Sequence, residues 1–72
     1  MDANERRKEI LNILFHAENP IKGTDLAEKL GVSRQVIVQD IAILRARGES
    51  IIATPQGYIV PKEGNNKKLI KT

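Results

Sequence analysis

Gly31 constrains this chain more than any other residue. It stands after the short run AEKL and, with Val32, is all that separates that run from the longer one beginning SRQVIVQDIAIL. A glycine at the end of a helix supplies the left-handed backbone that closes it, a conformation that a Cβ resists. Ser33 then offers the short oxygen-bearing side chain that caps the first free amides of a new helix. Two helices joined by so tight a turn cross at a steep angle, and they must share one small apolar core.

The rest of the chain divides at its own punctuation. Residues 4–17 have helical periodicity, with Ile10, Ile13, Leu14 and Ala17 recurring at three- and four-residue spacing. Asn19-Pro20 ends that helix, because the residue before a proline is pushed out of the α region. Residues 21–23 read as a short extended connection. Thr24 is the expected N-cap of a second helix through Leu30, with Asp25 and Glu28 near its positive end. The third helix is expected from the Ser33 cap to about Arg47, stopping at Gly48. On it, Ile37, Ile41 and Leu44 fall on one stripe, while Gln35, Val38, Gln39, Ala42 and Ala46 point roughly the opposite way. Residues 51–54 and 58–60 are β-prone, and Pro55-Gln56-Gly57 between them has hairpin chemistry. Ile51 or Ile52, with Tyr58 or Ile59, is expected to close the open side of the helical core. The fold class that follows is mainly α with a small β-hairpin (α+β), a three-helix winged helix-turn-helix over residues 4–61. Residues 62–72, lysine-rich around Gly64-Asn65-Asn66, read as a flexible tail or linker.

Composition narrows the function by exclusion. Seventy-two residues make one small domain that buries roughly 60% of the unfolded chain's surface. No cysteine is present, so disulfides and thiolate metal sites are excluded and an intracellular, cytoplasmic protein is expected. The apolar runs are too short for a membrane span, and Met1 to Glu9 is too polar for a secretory signal, so no membrane partner is expected. An enzyme is not expected either. The chain has no clustered His, Asp and Glu, no phosphate-binding glycine loop, and too little length to enclose a substrate. No metal or cofactor is expected in it, and His16 has no partner at ligand spacing. The formal charge is +3, but the body is balanced. Arg6, Arg7, Lys8, Lys22, Lys29, Arg34, Arg45 and Arg47 offset equal numbers of Asp and Glu, and the excess comes from Lys62, Lys67, Lys68 and Lys71 against Glu63. Placement therefore matters more than bulk charge, and Arg34, Arg45 and Arg47 all lie on the third helix.

That helix has the makings of a DNA reader, with double-stranded DNA as the expected partner. In a helix-turn-helix the first helix crosses the phosphate backbone and the N-terminal half of the second enters the major groove. Thr24 begins the backbone-crossing helix. The Ser33 hydroxyl and the first free amides beside it suit a phosphate. Arg34 suits a phosphate or guanine, Gln35 or Gln39 suits adenine, and Val38 suits a thymine methyl. Arg45 and the wing-tip Gln56 complete the candidate contacts. Each has a plainer alternative: a solvated helix face for the glutamines, complementing of the helix dipole for Arg45 and Arg47, a polar turn tip for Gln56. Arg6-Arg7-Lys8 reads as a solvated face. Leu11 and Phe15 are either wrapped into the core or form a ridge for dimerisation or docking. So few phosphate contacts imply weak binding by one domain, and hence a pair of domains on a palindromic operator. The competing class is a winged-helix protein–protein interaction module, which an amide-rich outer face disfavours.

The run GVSRQVIVQDIAILRARG, followed by IIATPQGYIVP, resembles the N-terminal DNA-binding domain of the nicotinate-responsive repressors of NAD biosynthesis. Those proteins lie within the broader group whose winged helix is similar to the biotin repressor's. The resemblance covers residues 6–61. It implies the operator-reading domain of a bacterial repressor that is a homodimer at full length, with an effector domain bearing metal-binding histidines that senses nicotinate. Here the sequence ends at Thr72 and holds one histidine, His16. The expectation is a DNA-binding domain cut from a longer repressor, or a stand-alone relative, to which nicotinate and metal binding do not carry over. Ser33, Arg34, Gln35, Val38, Gln39 and Gln56 do carry over, at the matching motif positions.

Overall fold

A computed structural model describes residues 1–61 of the chain; the tail expected over 62–72 lies outside the described residues. Three helices are followed by a hairpin: α1 (Ala3–His16), α2 (Gly23–Leu30), α3 (Arg34–Ala46), β1 (Ile52–Thr54) and β2 (Gly57–Ile59). The winged helix-turn-helix architecture is as expected, and the element boundaries differ where local capping or long-range pairing decides them.

α1 starts one residue earlier than its apolar periodicity indicates because Asp2 and Glu5 form a capping box. The Glu5 amide donates to the Asp2 carboxylate at 2.8 Å, and the Asp2 amide donates to the Glu5 carboxylate at 3.3 Å. It ends at His16, with Ala17 already extended, so Pro20 follows the stop rather than making it. Ile10 and Leu14 are fully buried, and Leu11 packs against the same core. Phe15 stays half-exposed, with its ring edge-on to His16 at 5.4 Å. The His16 ring also hydrogen-bonds the Asn12 carbonyl at 2.9 Å.

Thr24 is not the N-cap of α2. The helix begins at Gly23 after Lys22, whose side chain makes no capping bond, and Thr24 sits inside the first turn. The cause is non-local. Ile21 is held extended by Tyr58: its amide donates to the Tyr58 carbonyl at 2.9 Å and its carbonyl accepts from the Tyr58 amide at 2.8 Å. Gly23 is buried against the Tyr58 ring, where a Cβ would meet Cε2 at 3.4 Å. The chain therefore turns into α2 directly after Lys22. Gly31 closes this helix in the left-handed region at φ 69, and Ser33 caps α3 by accepting the Val36 amide at 3.2 Å.

β1 and β2 pair antiparallel with Ile52 opposite Ile59, Ala53 opposite Tyr58 and Thr54 opposite Gly57. The Thr54 hydroxyl pins the turn, accepting the Gln56 amide at 3.1 Å and donating to the Gly57 carbonyl at 2.8 Å. Ile21 occupies the other edge of β2, so the α1–α2 connection is part of the wing's sheet. The core is Ile10, Leu14, Leu26, Ala27, Ile37, Ile41, Leu44 and Ile51. Of the two isoleucines offered for closing it, Ile51 does so and Ile52 faces solvent; Tyr58 packs against the same core.

Candidate nucleic-acid interface

α3 is positioned by its apolar stripe. With Ile37, Ile41 and Leu44 buried, helical geometry turns Gln35, Val38, Gln39 and Ala42 outward, and all four are exposed. The glutamines stand four residues apart, one turn along the same face, with Val38 beside them. Ser33 spends an acceptor lone pair on its own cap, which leaves its hydroxyl proton available to donate.

Arg34 takes a different direction. Its Cγ and Nε lie 3.7 and 3.9 Å from the point where a Gly23 Cβ would stand. The side chain thus runs back along the start of α2. There it lines an open groove of about 280 Å³, between α2 and the wing, together with Lys22, Thr24, Thr54, Pro55 and Tyr58. No carboxylate lines this groove, so its two cations face it uncompensated. Thr24 and Arg34 are therefore brought together, beside the exposed face of Gln35, Val38 and Gln39. Gln56 is exposed at the wing tip and does not line the groove. Arg45 is exposed near the opposite end of α3, about three turns from Arg34, and Arg47 is the C-cap.

Sequence reasoning missed what lies beneath α3. Asp40 is buried at 2% exposure and binds two arginines of α1. Arg6 donates from Nε to Oδ2 and from Nη2 to Oδ1 at 3.1 Å, while Arg7 donates from Nη1 to Oδ1 at 3.1 Å. A second Arg7 nitrogen, Nη2, donates to the Asn4 amide oxygen at 3.1 Å. Arg6 and Arg7 are thus not a solvated face; only Lys8 of that run is exposed. A signal was present, since Asp40 stands three residues after Ile37 and four before Leu44, on the inner stripe. An acid there demands a cation from another element.

Burial works to raise the Asp40 pKa, but the hydrogen bonds and charges of Arg6 and Arg7 outweigh it and hold the carboxyl below its usual value. The folded chain therefore keeps Asp40 ionised where the unfolded chain has begun to protonate it. The resulting stabilisation is complete above the unfolded value and is lost as pH falls through the folded one. Urea midpoints should accordingly drop below about pH 4, and an Asp40→Asn variant should show a flatter acid limb. Equal acid limbs would assign the drop to other carboxylates.

Among the described residues no group of three or more His, Cys, Asp or Glu is placed to hold a metal ion, and no helix is long and apolar enough to cross a membrane. The profile of a family described as "HTH domain" matches residues 6–59. The chain is 57% identical over 56 residues to the "Probable transcription repressor NiaR" of Thermotoga maritima, covering 78% of this chain and 32% of that protein. It is 52% identical over 59 residues to the "Transcription repressor NadR" of Bacillus subtilis, covering 82% and 32% respectively. The chain thus spans about a third of the length of the curated relatives it matches.

Proposed function

Because this chain belongs to the HTH domain family, we propose that it is the operator-reading domain of a bacterial transcription repressor acting on genes of NAD biosynthesis or nicotinate uptake. The names of its relatives support the repressor role. The observation that carries the DNA reading is the pairing of two surfaces. An exposed amide-and-valine face on α3 adjoins a groove that holds Lys22, Thr24 and Arg34 and is lined by no carboxylate.

In this reading α3 lies in the major groove. Gln35 and Gln39 make the paired hydrogen bonds that suit adenine edges, and Val38 packs on a thymine methyl. Arg34 lies back against Gly23, so it is assigned to a backbone phosphate rather than to guanine. Lys22 joins it as a second cation, and Thr24 and Ser33 contribute hydroxyl donors. Gln56 meets the backbone from the wing tip, and Arg45 meets a flanking phosphate. The repressor works in the cytoplasm as a homodimer on a palindromic operator, which multiplies the weak grip of one domain.

The test is a salt titration of duplex binding. A Gln35→Ala/Gln39→Ala variant should lose about tenfold or more of its preference for the cognate duplex, since each paired contact discriminates by about 1–3 kcal/mol. It should keep the salt-dependent binding to other duplexes. Arg34→Ala should instead weaken binding to every duplex alike and reduce the salt slope by about one. Wild-type chain that shows no salt-sensitive duplex binding at high concentration would sink this function and favour a protein-interaction module.

A further inference from the structure

Asp40 is the one charged side chain buried in the core among the described residues, and it lies on α3. We propose that the Arg6–Asp40–Arg7 cluster is a positioning device for the reading helix: it fixes the rotation of α3 about its own axis, and with it the direction of Gln35 and Gln39. The proposal rests on the DNA-reading function above.

The turn at Gly31 sets how α3 crosses α2, but the apolar contacts along α3 fix its rotation less sharply than directional bonds do. Ile37, Ile41 and Leu44 bury apolar surface, and burial is non-directional. A helix held only by such a stripe tolerates small rotations. A turn of about 20° moves groups at a helix surface radius of about 5 Å by roughly 2 Å. That displacement is several times the width of the distance range of a good hydrogen bond, about 2.7–3.2 Å, so paired glutamine contacts to base edges would not survive it. A carboxylate accepting three charge-assisted bonds from two planar guanidinium groups does fix an angle. Both arginines come from α1, which is anchored by Ile10 and Leu14, and Arg7 is steadied further by Asn4. Asp40 immediately follows Gln39, so the restraint acts at the level of the reading face.

The cluster is also an imperfect stabiliser. Arg7 Nε is buried with no hydrogen-bond partner, and buried ion clusters are often matched in stability by apolar side chains of similar volume. Stability alone does not call for this arrangement, whereas angular precision does.

The test uses the 72-residue chain, a duplex it selects from a randomised pool, and a scrambled duplex of the same composition. The variant Arg6→Met/Arg7→Met/Asp40→Leu replaces the cluster with apolar side chains. It should melt cooperatively and bind the scrambled duplex within about threefold of wild type, while its preference for the selected duplex falls about tenfold. A fall of less than about threefold in the folded variant overturns the proposal and leaves the cluster a scaffold. If the triple variant does not melt cooperatively, Arg7→Met alone decides, since it leaves Arg6 on Asp40. Reduced preference for the selected duplex with unchanged scrambled binding supports positioning, and unchanged preference overturns it. A wild-type chain that binds duplexes with salt sensitivity but selects none removes the positioning role and spares the nucleic-acid function. One that binds no duplex removes the DNA reading itself.

Discussion

Gly57→Ala is expected to destabilise the chain by about 2–4 kcal/mol and to free the wing from the helices. Two effects add at this residue. Its φ of 136 lies where L side chains are rarely found. A Cβ there would also stand 2.5 Å from the Ile21 carbonyl carbon, 2.6 Å from its oxygen and 2.8 Å from the Lys22 nitrogen. These are backbone atoms, and Ile21 is itself bonded in both directions to Tyr58, so nothing can swing aside. Gly31→Ala is the matched control. It has a positive φ of 69 but open space around the added carbon, and should cost only about 1 kcal/mol. Urea unfolding of the two variants separates the effects; equal losses would mean that the approach of Ile21 to Gly57 contributes nothing.

Asp40→Ala is expected to cost about 3 kcal/mol. Removing the acid strands two guanidinium groups beside each other, and breaking a buried pair in this way costs about 3–5 kcal/mol. The lower end applies because the Arg6 and Arg7 side chains keep 19% and 12% exposure. A domain of this size has a total stability of only about 4–11 kcal/mol, so the variant should be partly unfolded under mild denaturant. Replacing all three partners with apolar residues should cost far less. Urea titrations at neutral pH compare the two, and an Asp40→Ala loss below about 1 kcal/mol would show that the cluster behaves as an ordinary surface pair.

The three helices were legible because their signals are local: the four-residue recurrence of Ile10 and Leu14, the Gly31 turn and the Ser33 cap. The start of α2 was not, since Thr24 satisfies the local rules for a cap and is displaced by Tyr58, which pairs with Ile21 and packs on Gly23. The same division holds at the site. Gln35, Val38 and Gln39 follow from 100° steps along a helix whose inner stripe is apolar. The direction of Arg34 is a matter of tertiary contact, since its side chain lies against Gly23 at the start of α2, and periodicity along α3 does not reveal it. Arg6 and Arg7 were misread because charges judged along their own helix look solvated; their partner sits on α3.

The bridge between Ile21 and Tyr58 also sets an order of assembly. Its two backbone hydrogen bonds close a loop that contains the whole of α2 and α3, and long-range closure must wait until the intervening chain has folded back. The exposed face of α3 needs only the helices, because its anchor to α1 through Asp40, Arg6 and Arg7 closes without the wing. The groove beside it exists only once the last strand has returned to the connection before α2. During synthesis, then, the face of Gln35, Val38 and Gln39 precedes the groove of Lys22, Thr24 and Arg34, and a chain stopped short of Tyr58 would have the first without the second.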